Sequence, residues 1–203
     1  MTTLGEIEFH TTVAQLSALP PPDRAEVALV GRSNAGKSSA LNALSNRKRM
    51  AFISKTPGRT QHLNFFRLSE IGGYLVDLPG YGYAKVPDSE RDRWGELTSG
   101  YLLDRPSLCG VVLIIDARRL LTTLDRGLLA WLKPNVAVHI LLSKADKLTR
   151  QQSKVALQNL KDQLPQPATR YSSQLFSSKS KEGVFEAADK IRSWIKTATE
   201  THK

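Results

Sequence analysis

The chain has 203 residues, one cysteine, and 29 Lys and Arg against 19 Asp and Glu, a formal charge of +10. That length suits one domain with a full core rather than two. Cys109 alone excludes an internal disulfide, and the longest uninterrupted apolar run, Val111 to Ile115, falls far short of the ~20 residues a membrane span needs.

The opening MTTLGEIEFH lacks the basic and apolar regions of a secretory signal. The histidines are scattered without zinc spacing. A cytoplasmic protein with no membrane contact is therefore expected, and the excess of positive charge favours a polyanionic partner such as RNA. Cys109, beside an apolar run, is expected to be a buried structural thiol.

Residues 1–25 read as an N-terminal extension, with a short strand at Ile7 to Phe9 and a stiff segment at Pro20-Pro21-Pro22. The core is expected over 26–199, within a single domain 1–203. An apolar strand, Val27 to Val30, runs into Gly31 to Ser38, GRSNAGKS, and then into a helix-compatible run, Ser39 to Leu44. The string fits GxxxxGK[ST] in the strand, loop and helix context that such a phosphate loop requires. Gly31 and Gly36 let the backbone curl, so that N–H groups of Arg32, Ser33, Asn34, Ala35 and their neighbours face a polyphosphate at a helix N-terminus. Lys37 would reach the β- and γ-phosphates, and the Ser38 hydroxyl would be a ligand of Mg²⁺.

The stretch Arg47 to Gln61 is basic, aperiodic and broken at Pro57-Gly58, and reads as a loop. Within it Thr60 is the chosen second Mg²⁺ hydroxyl and Thr56 the alternative, with Gly58, Arg59 and Gln61 alongside the phosphates. Strands follow at His62 to Leu68 and Tyr74 to Val76. The second ends at Asp77-Leu78-Pro79-Gly80, where Asp77 would hold Mg²⁺ through water and the Gly80 N–H would meet the γ-phosphate. A threonine held only by metal and γ-phosphate would be released on hydrolysis.

Downstream, a helix is expected over Asp88 to Asp104, a buried strand over Gly110 to Asp116, a helix over Asp125 to Lys133, and a buried strand over Val138 to Leu142. Beyond them lie a helix from Thr149 to Leu164, a strand from Tyr171 to Phe176, and a terminal helix with Val184, Ala188, Ile191 and Ile195 on one face. Trp131 and Trp194 are read as packing residues. Strands alternating with helices predict a three-layer α/β domain.

The string Ser143-Lys144-Ala145-Asp146 decides the base. Asp146 can accept from the N1–H and exocyclic amine of guanine, whereas adenine would turn an acceptor towards the carboxylate. The aliphatic stem of Lys144 would lie over the base plane. Ser177-Ser178-Lys179 can offer a backbone N–H to the guanine carbonyl oxygen.

Together, GRSNAGKSSALN, SKTPGRTQ, DLPGYGYA and KADK resemble the bacterial EngB (YihA, YsxC) family of translational-type (TRAFAC) P-loop GTPases, over nearly the whole chain. The resemblance implies a Ras-like fold with a six-stranded, mostly parallel sheet and about five helices, binding of GTP and GDP, and slow Mg²⁺-dependent GTP hydrolysis. It also implies a role in assembling the large ribosomal subunit on precursor rRNA, together with normal septum formation and cell division. A monomer is expected. Ser143 departs from the family's usual threonine, and FSSKSKEG from its usual FSSLKKxG.

Catalysis is assigned to Lys37, Thr60 and Gly80. Where many GTPases carry a water-orienting glutamine after DxxG, Tyr81 stands, so unaided hydrolysis should be slow. Gln61, His62 and Arg59 are the alternatives in the preceding loop. Asn34 matches the asparagine that helps bind K⁺ in related potassium-stimulated GTPases. The competing reading is a signalling GTPase acting directly on a cell-division effector without ribosome binding.

Overall fold

The computed structural model describes residues 3–45, 62–82, 88–165 and 168–201, excepting the side chains of 88–94, 131 and 168. The expected loop over 47–61, with Gly58, Arg59, Thr60 and Gln61, lies outside the described residues, as does the Trp131 side chain. Seven strands form one sheet: β1 (Ile7–Val13), β2 (Glu26–Gly31), β3 (Leu63–Leu68), β4 (Gly73–Asp77), β5 (Leu108–Asp116), β6 (Ala137–Ser143) and β7 (Tyr171–Leu175). Five helices connect and flank them: α1 (Lys37–Leu44), α2 (Asp88–Asp104), α3 (Thr123–Trp131), α4 (Arg150–Gln163) and α5 (Val184–Thr201).

The strand order is β1-β3-β4-β2-β5-β6-β7. β4, β2, β5, β6 and β7 pair in parallel, and β3 pairs antiparallel with both β4 and β1. The sheet thus has seven strands where six were expected. The six followed from the resemblance alone; the edge strand β1, read in the sequence only as Ile7 to Phe9, runs on to Val13, with a register shift between Phe9 and Thr11 and interior residues that are mostly exposed. An edge strand without alternating burial gives little periodic signal.

The central strands read as continuous apolar runs because both of their faces are covered. Val27 and Leu29 of β2 join Leu41, Ile191 and Ile195 on the α1 and α5 side, whereas Ala28 and Val30 join Leu97, Tyr101 and Leu129 on the other. β5 divides in the same way, Val112 and Ile114 against Val111, Leu113 and Ile115. Two cores on one sheet make the three layers.

Trp194 packs half-buried against the α5-side core, with its ring centroid 6.4 Å from that of His139 and the two rings nearly perpendicular. The Cys109 thiol donates to the Glu26 carbonyl, and burial pushes it up to about 11, so it stays protonated at neutral pH. Among the described residues, no helix is long and apolar enough to cross a membrane.

The order of the strands reverses on either side of β2, between β4 and β5. In an open parallel sheet the crevice beyond the strand C-termini at such a reversal is where ligands bind. Gly31, Asp77, Asp116 and Ser143 each end a strand at that edge.

Candidate nucleotide site

The turn from β2 into α1 is set by glycine chemistry. Gly36 takes φ +102° and caps α1 with no side-chain hydrogen bond to its first turn, so the helix N–H groups there are left for a ligand. The opposite wall comes from the segment after β4. The Ser33 N–H donates to the Tyr81 carbonyl at 2.9 Å, the Leu78 N–H to the Leu29 carbonyl at 3.1 Å, and a Cβ on Gly80 would lie 3.1 Å from the Ser33 backbone. A side chain at position 80 would push the two loops apart by a few tenths of an ångström, so their close approach favours glycine there.

Lys37, at the head of α1, donates to Asp77 Oδ1 at the end of β4, and both side chains remain partly exposed. The two loops that would meet a polyphosphate from either side are thereby joined by one ion pair. Ser38 follows, exposed on the first turn. Among the described residues, no three His, Cys, Asp or Glu side chains cluster to hold a metal. One exposed hydroxyl and one carboxylate are instead a donor set that suits Mg²⁺, which keeps several waters and takes phosphate oxygens as ligands.

The SKAD segment is built onto the phosphate loop. The Ser143 hydroxyl, 3% exposed, donates to the Ala35 carbonyl at 2.5 Å, so the shorter side chain at this position still reaches the loop. Lys144 takes φ +60°, which turns its side chain back over the same loop. Its ammonium donates to the Asn34 carbonyl at 2.8 Å and to Asp116 Oδ2 at 2.9 Å.

Asp116 was missed in the sequence, although a carboxylate ending an otherwise apolar strand is a readable signal. It accepts from Arg118 Nε at 2.9 Å and Nη2 at 2.7 Å as well as from Lys144. Arg118 first, and Lys144 after it, hold the Asp116 carboxyl far below the usual range.

Asp146 Oδ1 accepts from the hydroxyl of Ser177, which is fully buried, at 2.7 Å. That hydroxyl in turn accepts from the Lys179 and Ser180 N–H groups at 3.2 and 3.1 Å. The turn after β7 is thus bonded to the carboxylate beside which a base would sit. Donation from Ser177 keeps the Asp146 pKa below its ordinary value, and the group stays ionised at neutral pH. Strings far apart in sequence, 31–38, 77–80, 143–146 and 177–179, therefore converge at one edge of the sheet.

Tyr81 does not face this crevice as a water-orienting side chain would. It is 6% exposed, and its hydroxyl donates to Asp125 Oδ1.

The family described as "50S ribosome-binding GTPase" matches residues 26–144. "Probable GTP-binding protein EngB" of Thiobacillus denitrificans (strain ATCC 25259 / T1) is 53% identical over 200 residues, covering 98% of this chain and 96% of that protein. The chain belongs to the EngB family. A second EngB relative, from Dechloromonas aromatica (strain RCB), is 54% identical over 190 residues, covering 92% of this chain and 86% of its own.

Like the rest of the EngB family, the chain is a GTP-binding protein and a GTPase. Its fold resembles the crystal structure of a probable GTP-binding protein engB, with TM-score 0.66 and 18% identity over 85% of this chain and all of that one. It also resembles Era in complex with MgGDPNP and nucleotides 1506–1542 of 16S ribosomal RNA, with TM-score 0.64 and 21% identity over 84% of this chain and 56% of that one.

Proposed function

We propose that this GTPase is a cytoplasmic switch in assembly of the large ribosomal subunit. It binds precursor rRNA through its basic surface while GTP is bound and leaves after hydrolysis, with septation and cell division dependent on that supply of ribosomes. Residues 1–203 act as one G domain. The observation that carries the ribosomal reading is membership of a family described as ribosome-binding in a chain of formal charge +10.

In the proposed mechanism, the N–H groups of residue 34 and residues 36–38 cradle the phosphates, those of Ser33 and Ala35 being bonded to the Tyr81 and Arg32 carbonyls. Lys37 exchanges Asp77 for β- and γ-phosphate oxygens, and the Gly80 N–H contacts the γ-phosphate. Ser38, Thr60 and, through water, Asp77 would hold Mg²⁺, which when bound neutralises charge between the β- and γ-phosphates. Ser143 fixes the phosphate loop, Lys144 covers the base, Asp146 accepts from guanine, and Ser177, Ser178 and Lys179 close over its carbonyl oxygen. Hydrolysis is slow because the Tyr81 hydroxyl is already committed to Asp125.

The test is co-sedimentation with purified large subunits and their precursors, with a non-hydrolysable GTP analogue or GDP, over a series of salt concentrations. Pelleting that requires the analogue and weakens as salt rises is expected. No binding to any particle would sink the ribosomal reading in favour of a cell-division effector.

Asn34 adds a cation prediction. It is exposed on the phosphate loop with φ +65°, and its backbone carbonyl is held by Lys144, which leaves the side-chain amide for another ligand. We read that amide as a K⁺ ligand. Hydrolysis is expected to be at least severalfold faster in K⁺ than in Na⁺ at equal ionic strength, and the difference should be lost in Asn34→Ala. Equal wild-type rates would retire the role.

A further inference from the structure

Helix α3 carries none of the nucleotide motifs, yet its first turn is bonded to the residue that follows them. Tyr81 comes directly after Gly80, and its backbone is paired with the phosphate loop. Its N–H donates to the Gly31 carbonyl at 3.4 Å, and its carbonyl accepts from the Ser33 N–H at 2.9 Å. Its side chain turns inward, and the hydroxyl reaches Asp125 Oδ1.

Asp125 is 1% exposed. Its second oxygen, Oδ2, accepts from both the N–H and the hydroxyl of Thr122 at 2.7 Å, which closes the capping box at the start of α3. One buried carboxylate therefore holds the phenol with one oxygen and the helix cap with the other. Burial first, and the charge of Asp125 after it, push the phenol pKa well above its ordinary value, so the hydroxyl remains a donor at any physiological pH.

We propose that Tyr81 is a positioning residue that makes the start of α3 respond to the bound nucleotide. A shift of Gly80 onto the γ-phosphate must either carry Asp125 and the first turn of α3 with it or break a buried hydrogen bond, and a packed two-state element of this kind is how local contacts spread. The proposal rests on the reading of Gly80 as the γ-phosphate contact.

The face that would move is identifiable. A cleft of about 150 Å³ lies between the phosphate loop and this turn, lined by Arg32, Arg118 and Arg119 against Asp116 and Asp125, and shared with Lys144 of the base site. Leu124, 52% exposed on the same turn, lies against Gly82. The responsive surface is thus cationic with one apolar projection, which fits the RNA backbone proposed as partner.

Hydrogen exchange on the full chain tests this, with GDP or a non-hydrolysable GTP analogue bound and the amides of 125–128 as the readout. The wild type should exchange differently there in the two states. In Tyr81→Phe both nucleotides should still bind, the difference at 125–128 should vanish, and the ratio of analogue to GDP affinity should shift by roughly fivefold or more, because coupling is reciprocal. Thr122→Ala should lower the melting temperature by weakening the cap and retain the difference. Equal exchange in the two states of the wild type, or a difference that survives in Tyr81→Phe, overturns the proposal. A wild type that binds no guanine nucleotide would overturn the site reading beneath it instead.

Discussion

Asp146→Asn should exchange the base preference of the protein. Affinity for GTP is expected to fall by roughly a hundredfold or more, the equivalent of losing two charge-assisted hydrogen bonds, while affinity for xanthosine triphosphate rises. The direction follows from how the carboxylate is held. Oδ1 is occupied by the Ser177 hydroxyl at 2.7 Å, and Ser177 is itself pinned by two backbone N–H groups of the turn after β7. An asparagine at this position keeps that bond only by giving its carbonyl oxygen to Ser177, which leaves the amide NH₂ pointing where guanine presents donors. Guanine then meets donor against donor, whereas xanthine, with a carbonyl in place of the exocyclic amine, meets a match. Titration of fluorescent GTP and xanthosine triphosphate into the two proteins reads the exchange directly. An unchanged preference for GTP would remove Asp146 from the base site.

What the sequence revealed and what it concealed follow one physical division. The phosphate loop was legible because its backbone path restricts residue type locally. Gly36 sits at a φ that side chains avoid, and the loop lies between an apolar run of strand length and a helix-compatible run. β1 was read three residues long instead of seven, because an edge strand with exposed interior positions lacks the alternation that marks burial on one face. The start of α3 was placed at Asp125 although Thr122 caps it, and Thr-x-x-Asp was the signal that could have corrected this.

Two features had no local signature at all. Tyr81 and Asp125 lie 44 residues apart, and Glu26 and Arg105 lie 79 apart. Their partnerships exist only because β2 lies between β4 and β5, with helices laid on the same face, and strand order cannot be read from pattern within single segments.

The second of these pairs predicts the largest change in stability. Glu26 opens β2, at the end of the sheet opposite the crevice, and is fully buried. Arg105 Nε lies 3.0 Å from both carboxylate oxygens, Tyr101 donates to Oε2 at 2.8 Å and Ser107 to Oε1 at 2.9 Å, while Arg105 Nη2 also reaches the Pro20 carbonyl at 2.9 Å. Arg105→Ala would leave that carboxylate buried without its cation, a loss of about 3–5 kcal/mol from a total of about 5–15 kcal/mol. For a chain of this length the melting temperature should fall by roughly 10 °C.

Replacing both partners, Glu26→Met with Arg105→Met, removes the charge along with its counter-charge and should cost far less than the single change. Thermal melts of the single and double variants separate the cost of an unpaired charge from that of lost packing. A single variant within about 1 kcal/mol of wild type would mean that water reaches Glu26. The cluster joins the end of α2 to β2 and to the segment entering it, well away from the nucleotide motifs, so guanine-nucleotide affinity measured below the melting temperature should be retained in every variant. Lost affinity in a folded Arg105→Ala protein would show instead that α2 must be anchored at this end for the loop after β4 to close on its phosphate.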